Sequence, residues 1–216
     1  MHYELFFYRK LKQPLHTLQA GMKRVIDFCG ALGGMVFLAP MFSLIALAIK
    51  LDSPGPVFYK SLRIGKDGRA FQMYKFRSMI QDAELQRAML RKNHRQEGAL
   101  FKIKNDSRIT RLGHFLRKYS LDEFPQLINV LKGEMSLIGP RPFSPDNCAL
   151  FDAPYHLRFK VMPGMTGLWQ VSGRSNLKFE EVCKLDLHYT LHWSLMRDLL
   201  ILLRTFPVVL KKQGAF

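Results

Sequence analysis

Acidic side chains are scarce in this sequence: 17 Asp and Glu stand against 33 Lys and Arg, a formal net charge of +16 over 216 residues. Cysteine is scarcer still. Cys29, Cys148 and Cys183 are widely separated, odd in number, and form neither a CxxC pair nor a zinc-finger spacing. That argues against a disulfide framework and fits a reducing compartment. Internal repeats and low-complexity tracts are missing as well, which leaves a chain able to bury one sizeable core, one domain with appendages.

The positive charge that remains is unevenly placed. Lys60 to Lys118 carries 16 Lys and Arg against 5 Asp and Glu, +11 of the total. Such a field attracts polyanions, whether nucleic acid, anionic headgroups or phosphorylated small molecules, and charge alone does not choose among them.

One long run lacks charge altogether. Phe28 to Ile49, "FCGALGGMVFLAPMFSLIALAI", would be about 33 Å long as a helix, enough for a hydrocarbon core, and it is too long for the apolar part of a cleavable signal. It reads as a membrane segment. Pro40 removes one helical hydrogen bond in its middle and favours a kink or break at Ala39-Pro40. Arg9, Lys10, Lys12, Lys23 and Arg24 precede the run, and Lys50, Lys60, Arg63, Lys66 and Arg69 follow it. The positive-inside tendency therefore draws both ends to one side, as a bent, re-entrant helix would allow. A kinked helix that crosses is the alternative. Residues 187–212 have a thin charged stripe with Arg197 and Arg204 seven apart; they read as an interfacial helix interrupted near Pro207, or equally as a core helix. The opening "YELFFYRKLKQPLHTL" is a weaker interfacial candidate.

Between these ends, "SPGP" at 53–56 is a turn. Residues 57–79 alternate as a β-hairpin looped by "GKDGR", and residues 80–96 read as an exposed polar helix. "SRITRLGHFLRKYS" suggests a helix with Ile109, Leu112 and Leu116 on one face. "MSLIGPRPF" reads as a buried strand into a stiff turn, and "MPGMTGLWQVSGRSN" as a glycine-spaced loop region, with helix after it.

Against the basic background, "SLDEFP" at 120–125 places two carboxylates together. Ser120 with Glu123 three residues later forms a capping-box signature for a helix that Gly133 would stop, which is plain architecture. A chemical reading exists too. Arg141 lies between two prolines in "GPRP", whose restricted φ presents a guanidinium in a set direction, suited to phosphate. Arg174 follows a glycine in "VSGRSN", where backbone N–H groups can approach an anion. Lys75 and Arg117 could join the same pocket. Among such cations a carboxylate can hold Mg²⁺ on a diphosphate, or attack phosphorus itself. The neighbouring cations and a helix N-terminus would keep both acids ionised. His188 and His192, four apart, lack an evident third metal ligand and read as packing or interfacial residues. Trp169 with Arg174 is a base-stacking candidate, but no RNA-module signature accompanies them.

"KFRSM" (75–79), "LGHFLRKYSLDEFPQLINVLKGEMSLIGPRP" (112–142) and "VMPGMTGLWQVSGRSN" (161–176) together resemble the bacterial polyprenyl-phosphate sugar-1-phosphate transferases. These monotopic phosphoglycosyl transferases start glycan assembly on a lipid carrier, and the likeness covers roughly residues 23–212. The resemblance implies that Asp122 attacks a UDP-sugar, releases UMP and holds the sugar phosphate until undecaprenyl phosphate takes it. Glu123 matches the second acid, expected to help position Mg²⁺, with Asp122 and Glu123 as the metal residues. Lys75, Arg117 and Arg141 match basic positions suited to phosphate, and Gln170 and Arg174 fall where the nucleotide is expected. Asp186 matches a family position without an assigned role. The sugar would be a hexose such as glucose or galactose, with an N-acetylated amino sugar as the alternative, and the product would feed exopolysaccharide or other glycan synthesis.

The fold implied is α+β and predominantly helical. Residues 1–22 would be an amphipathic lead, 23–52 the re-entrant helix, and 53–216 a small hairpin-containing cytosolic domain with interfacial C-terminal helices. The chain would sit on the cytoplasmic face of the bacterial inner membrane. Members often carry Ser-Pro at the helix break where this chain has Ala39-Pro40, so the bend would rely on proline and its packing. Larger members have preceding transmembrane helices, which makes this chain a minimal form or the catalytic part of something longer. Homo-oligomerisation stays open. Two rivals are a basic nucleic-acid-binding protein, which leaves the apolar run idle, and a non-catalytic membrane scaffold; the transferase reading expects no nucleic-acid partner.

Overall fold

A single helix dominates the chain. The structure, a computed structural model, describes residues 14–83 and 106–211. The reading of 80–96 as a polar helix falls mainly on residues outside that range, as does most of the opening interfacial candidate. Helix α1, Pro14–Asp52, runs 39 residues without interruption through Pro40, about 58 Å at the usual rise. Among the described residues it is the one helix long and apolar enough to cross a membrane. Pro40 leaves the Val36 carbonyl without its helical donor. One turn on, Ser43 Oγ donates to the Ala39 carbonyl at 3.2 Å, a side-chain bond of the kind that bends helices slightly.

One stripe of α1 is packed. Asp27, Ala31, Ile45 and Ile49 are buried along it, with Met35, Leu38 and Phe42 filling in between. The opposite face leaves Val25, Val36, Phe37, Leu44 and Leu51 exposed, Phe37 at 83%. An apolar face this long is not finished by water.

Strands β1 (Phe58–Ile64) and β2 (Ala70–Phe76) form the expected antiparallel hairpin, and residues 65–69 are its loop. Helix α2, Arg111–Lys118, opens on Thr110, whose side chain accepts from the Gly113 amide at 2.9 Å. Ile109, expected on this helix, instead pairs with Met79 in an isolated bridge, because the helix starts two residues later. Leu116 is fully buried against Ile45, Ile49 and Phe76. Gly113 admits this approach: a Cβ there would stand 2.0 Å from the Ser78 carbonyl oxygen.

Ser120 is left-handed (φ 57°), and a short 3₁₀ turn, Leu121–Glu123, precedes α3, Gln126–Lys132. The capping box is absent: Ser120 makes no side-chain cap bond, and the Glu123 carboxylate is bound to Lys75 and Arg141. Two cations outcompete a neutral amide for that carboxylate. Gly133 does stop α3, with φ 81°.

Strand β3 (Ser136–Ile138) pairs in parallel with β4 (Gly164–Thr166). The stretch expected as loop therefore holds a strand and a short helix, α5 (Leu168–Ser172), after the small helix α4 (Pro145–Cys148). Gly139 makes the pairing feasible, since a Cβ on it would meet the Met162 carbonyl oxygen at 2.3 Å. Helices α6 (Phe179–Leu191) and α7 (Leu195–Leu210) close the chain. The break falls at 192–194, where Ser194 caps α7 by accepting from the Arg197 amide, and α7 passes through Pro207. This corrects the expected interruption. Asp198 and Ile201 are buried on the inner face of α7, while Met196, Leu203, Phe206 and Leu210 are exposed outside. The interfacial and core alternatives thus each describe one face of this helix.

The same domain holds α1 on both sides of its apolar run. Lys23 Nζ donates to Asp198 Oδ2 at 2.6 Å and to the Ile138 carbonyl at 3.0 Å, and Tyr189 and Trp193 also donate to Asp198. Arg24 caps α3 through the Val130 and Leu131 carbonyls. At the far end Arg77 donates to the Ile49, Ser53 and Pro54 carbonyls. A cation at a helix C-terminus contributes about 0.3–1 kcal/mol when exposed and up to about 2 when partly buried. Arg77 is buried.

Candidate active site

The turn after Ser120 delivers both acids to one place, and the rest of the fold brings cations to meet them. Lys75, on β2, places Nζ 2.7 Å from Glu123 Oε1 and 3.8 Å from Asp122 Oδ2. Arg141 forms a fork on Glu123, Nη2 to Oε1 at 2.7 Å and Nη1 to Oε2 at 3.4 Å. Arg117, at the end of α2, is aimed by Nε donating to Ser78 Oγ at 2.8 Å. Arg174, itself at φ 52°, donates from Nη2 to Ser120 Oγ at 2.9 Å. The serine expected as a helix cap is thus a rest for an arginine.

The two carboxylates diverge electrically. Burial pushes Asp122 up, and Glu123 beside it adds to this, while Lys75, Arg117 and Arg141 pull back without prevailing. Burial also pushes Glu123 up, but the Arg141 and Lys75 charges and hydrogen bonds outweigh it and hold Glu123 well below the usual range. The cations prevail over burial at Glu123 but not at Asp122, which is buried at 6% exposure with its nearest cation 3.8 Å away, so the two carboxyls are displaced in opposite directions from their ordinary values. Neighbouring residues with carboxyls driven apart are suited to different tasks. Burial lowers the Arg117 and Arg174 guanidinium pKa values, and the two acids oppose that shift.

The structure brings Asp122, Glu123, Lys75, Arg117, Arg141 and Arg174 into one cluster. Gln170 is buried on α5 with neither amide atom partnered; its neighbour Trp169 lies under the Arg141 guanidinium, 5.9 Å from the ring centre. Asp186 is not in the cluster. It is fully buried on α6 and bonded to Arg158, and burial pushes it up to about 6 against the Arg158 and Arg141 charges. Ala39 and Pro40 lie within α1. His188 and His192 stack at 4.4 Å, and among the described residues no group of three His, Cys, Asp or Glu could hold a metal. The buried Cys183 thiol, pushed up to about 12, is no nucleophile.

Sequence reasoning missed Arg158, Ser78 and Arg77. Within "KFRSM", just at and past the end of β2, Lys75 serves the acids, Arg77 closes α1, and Ser78 aims Arg117. Arg158 in "YHLRFK" carries no local signal.

As for Mg²⁺, this ion is held by one or two carboxylates together with substrate phosphates. The donor chemistry fits: Asp122 offers a hard oxygen ligand, and Glu123 Oε2 bears only the long 3.4 Å contact, while Oε1 is taken by both cations.

Comparison with known proteins places this geometry in context. A family model described as bacterial sugar transferase matches residues 18–212. The "UDP-galactose-lipid carrier transferase" of Erwinia amylovora is 43% identical over 199 residues, covering 90% of this chain and 42% of that protein. The "Exopolysaccharide production protein ExoY" of Sinorhizobium fredii is 36% identical over 201 residues, 90% of this chain and 88% of that protein. The "UDP-glucose:undecaprenyl-phosphate glucose-1-phosphate transferase" of Caulobacter vibrioides is 39% identical over 204 residues, 90% of this chain and 72% of that protein. The chain thus spans less than half of the Erwinia relative.

Proposed function

The chain belongs to the bacterial sugar transferase family, and from that premise we propose that it moves a sugar 1-phosphate from a UDP-sugar to undecaprenyl phosphate. An Asp122 oxygen attacks the phosphorus that bears the sugar. The bond from that phosphorus to the bridging oxygen breaks, and UMP leaves with the electron pair. A phosphate oxygen of the lipid then attacks the same phosphorus, and Asp122 departs as the carboxylate. The observation that carries this reading is the pair of adjacent carboxyls, one buried 3.8 Å from Lys75 and one bonded to Lys75 and Arg141, with pKa values displaced in opposite directions among four cations.

Each residue's part follows from its contacts. Lys75 lies where it can keep Asp122 charged as it attacks and meet the phosphate as it is transferred. Arg117, Arg141 and Arg174 suit the diphosphate, since positioning and charge neutralisation dominate phosphoryl transfer. Gln170, with its unpartnered amide, lies where the nucleotide is expected. Asp122 and Glu123 would hold Mg²⁺, which when bound neutralises charge on the diphosphate. The names of the Erwinia and Caulobacter relatives support a hexose, galactose or glucose, and that of the rhizobial relative supports a place in exopolysaccharide production.

The expected result is UMP release from UDP-glucose or UDP-galactose that becomes catalytic only with Mg²⁺ and undecaprenyl phosphate both present. Salt-sensitive nucleic-acid binding without any UMP would sink the reading in favour of the basic-protein rival.

We further propose that α1 is re-entrant at the cytoplasmic face of the inner membrane. Support comes from the two flanks of its apolar run, each hydrogen-bonded to the one domain through Lys23 and Arg24 on one side and Arg77 on the other. The exposed apolar faces of α1 and α7 supply the lipid contact. Single cysteines introduced at positions 10 and 60, in a background without the three native ones, should label from the same side of the membrane. Labelling from opposite sides would mean that α1 crosses.

A further inference from the structure

Among the described residues, Asp186 and Arg158 are the most completely buried ion pair outside the acid cluster, with side chains 1% and 3% exposed. Burying two charges costs several kcal/mol per ion before attraction offsets it. A pair kept only for packing is often replaceable by apolar residues at no loss. What the pair does with its charge is therefore the question.

The contacts answer it. One Arg158 nitrogen, Nη2, donates both to Asp186 Oδ2 and to the Arg141 carbonyl, the latter at 2.6 Å. The rest of the guanidinium lies against Phe143 and Phe151, 4.4 and 4.9 Å from the ring centres, and neither Nε nor Nη1 has a hydrogen-bond partner. Arg158 is thus confined by rings and committed through a single nitrogen. The segment it grips is held on either side as well: the Gly164 amide donates to the Pro140 carbonyl at 2.9 Å and the Ile64 amide to the Phe143 carbonyl at 3.0 Å. Between those fixed points the Arg141 carbonyl accepts from Arg158, and the Arg141 side chain forks on Glu123.

We propose that Asp186 and Arg158 are positioning residues, Asp186 fixing the Arg158 guanidinium and Arg158 fixing the Arg141 main chain, so that the Arg141 side chain meets Glu123 and the substrate phosphate in register. The inference rests on the transferase reading above. The lever is long: a tilt of about 10° at the base of an extended arginine shifts its tip by about 1 Å, and misplacement by 1 Å can cost about 10²-fold in rate.

Four full-length proteins in detergent test this: the parent, Asp186→Asn, Arg158→Lys and the double variant, each with its thermal midpoint recorded. Asp186→Asn is isosteric and carries the test should Arg158→Lys not fold. In folded variants kcat should fall at least about tenfold with the KM for UDP-sugar within about threefold, and the double variant should be no worse than the poorer single, because both act through one contact. Native turnover in the single variants, a loss confined to KM, or losses that multiply in the double variant would each overturn the proposal. A second readout needs no turnover. With Trp193 replaced by Phe, Trp169 is the remaining tryptophan, and its emission should shift when Asp186→Asn releases the Arg141 guanidinium above it. A shift in a parent that releases no UMP would leave the relay standing and sink the transferase reading alone, whereas unshifted emission would count against the relay.

Discussion

Asp122→Asn should abolish the lipid-independent burst of UMP and lower turnover at least about 10³-fold, the scale on which removal of a covalent nucleophile acts. The amide has the shape of the acid, so packing around Leu121 and Leu116 is retained, but it cannot form an acyl phosphate. The same substitution should leave thermal stability unchanged or raise it. Burial pushes the Asp122 carboxyl above its ordinary value, so its contribution to stability is full at low pH and is lost as pH rises through the folded pKa. At neutral pH the ionised group therefore works against the fold, and a neutral isostere removes that cost. Quenched-reaction mass spectrometry on the parent with UDP-sugar and Mg²⁺, lipid omitted, should find the sugar phosphate on Asp122. Native turnover in Asp122→Asn would place the nucleophile elsewhere.

Arg141→Leu has the second-largest effect. Glu123 keeps Lys75 but loses its forked partner, and that fork is mostly desolvated, with side chains 29% and 19% exposed. Truncating one member of a hydrogen-bonded charge pair costs about 2–5 kcal/mol when buried; with this residual exposure about 2–3 kcal/mol is expected. Turnover should fall about 10²-fold or more, since a preorganised phosphate contact goes as well. Arg141→Lys should recover part of the stability and little of the rate, because an ammonium cannot make two parallel bonds in a plane. Denaturant midpoints and turnover on the three proteins check this. A leucine variant that keeps both would reduce Arg141 to a surface charge.

The parts legible in the sequence are those governed by neighbours. The hairpin and its 65–69 loop follow from alternation and from glycines at its ends, and Gly133 stops α3 because a left-handed residue was needed there. Ser120 shows where local reading fails. Its spacing from Glu123 suits a capping box, yet the glutamate is drawn to Lys75, 48 positions away, and the serine to Arg174, 54 positions away. Pro40 and Pro207 each suggested an interruption, but both helices continue, because packing along one face outweighs a single lost hydrogen bond.

The amino-acid order by itself determined the apolar segment with basic flanks, the hairpin, the acidic pair and the two prolines that restrict the backbone around Arg141, since these depend on period, charge and backbone restriction over a few residues. Only the tertiary structure decided that Lys75, Arg117, Arg141 and Arg174 converge on those acids, that Asp122 is the buried one, and that Arg158 links Asp186 to Arg141. Desolvation and charge coupling act through space, and their sign is fixed when distant segments pack.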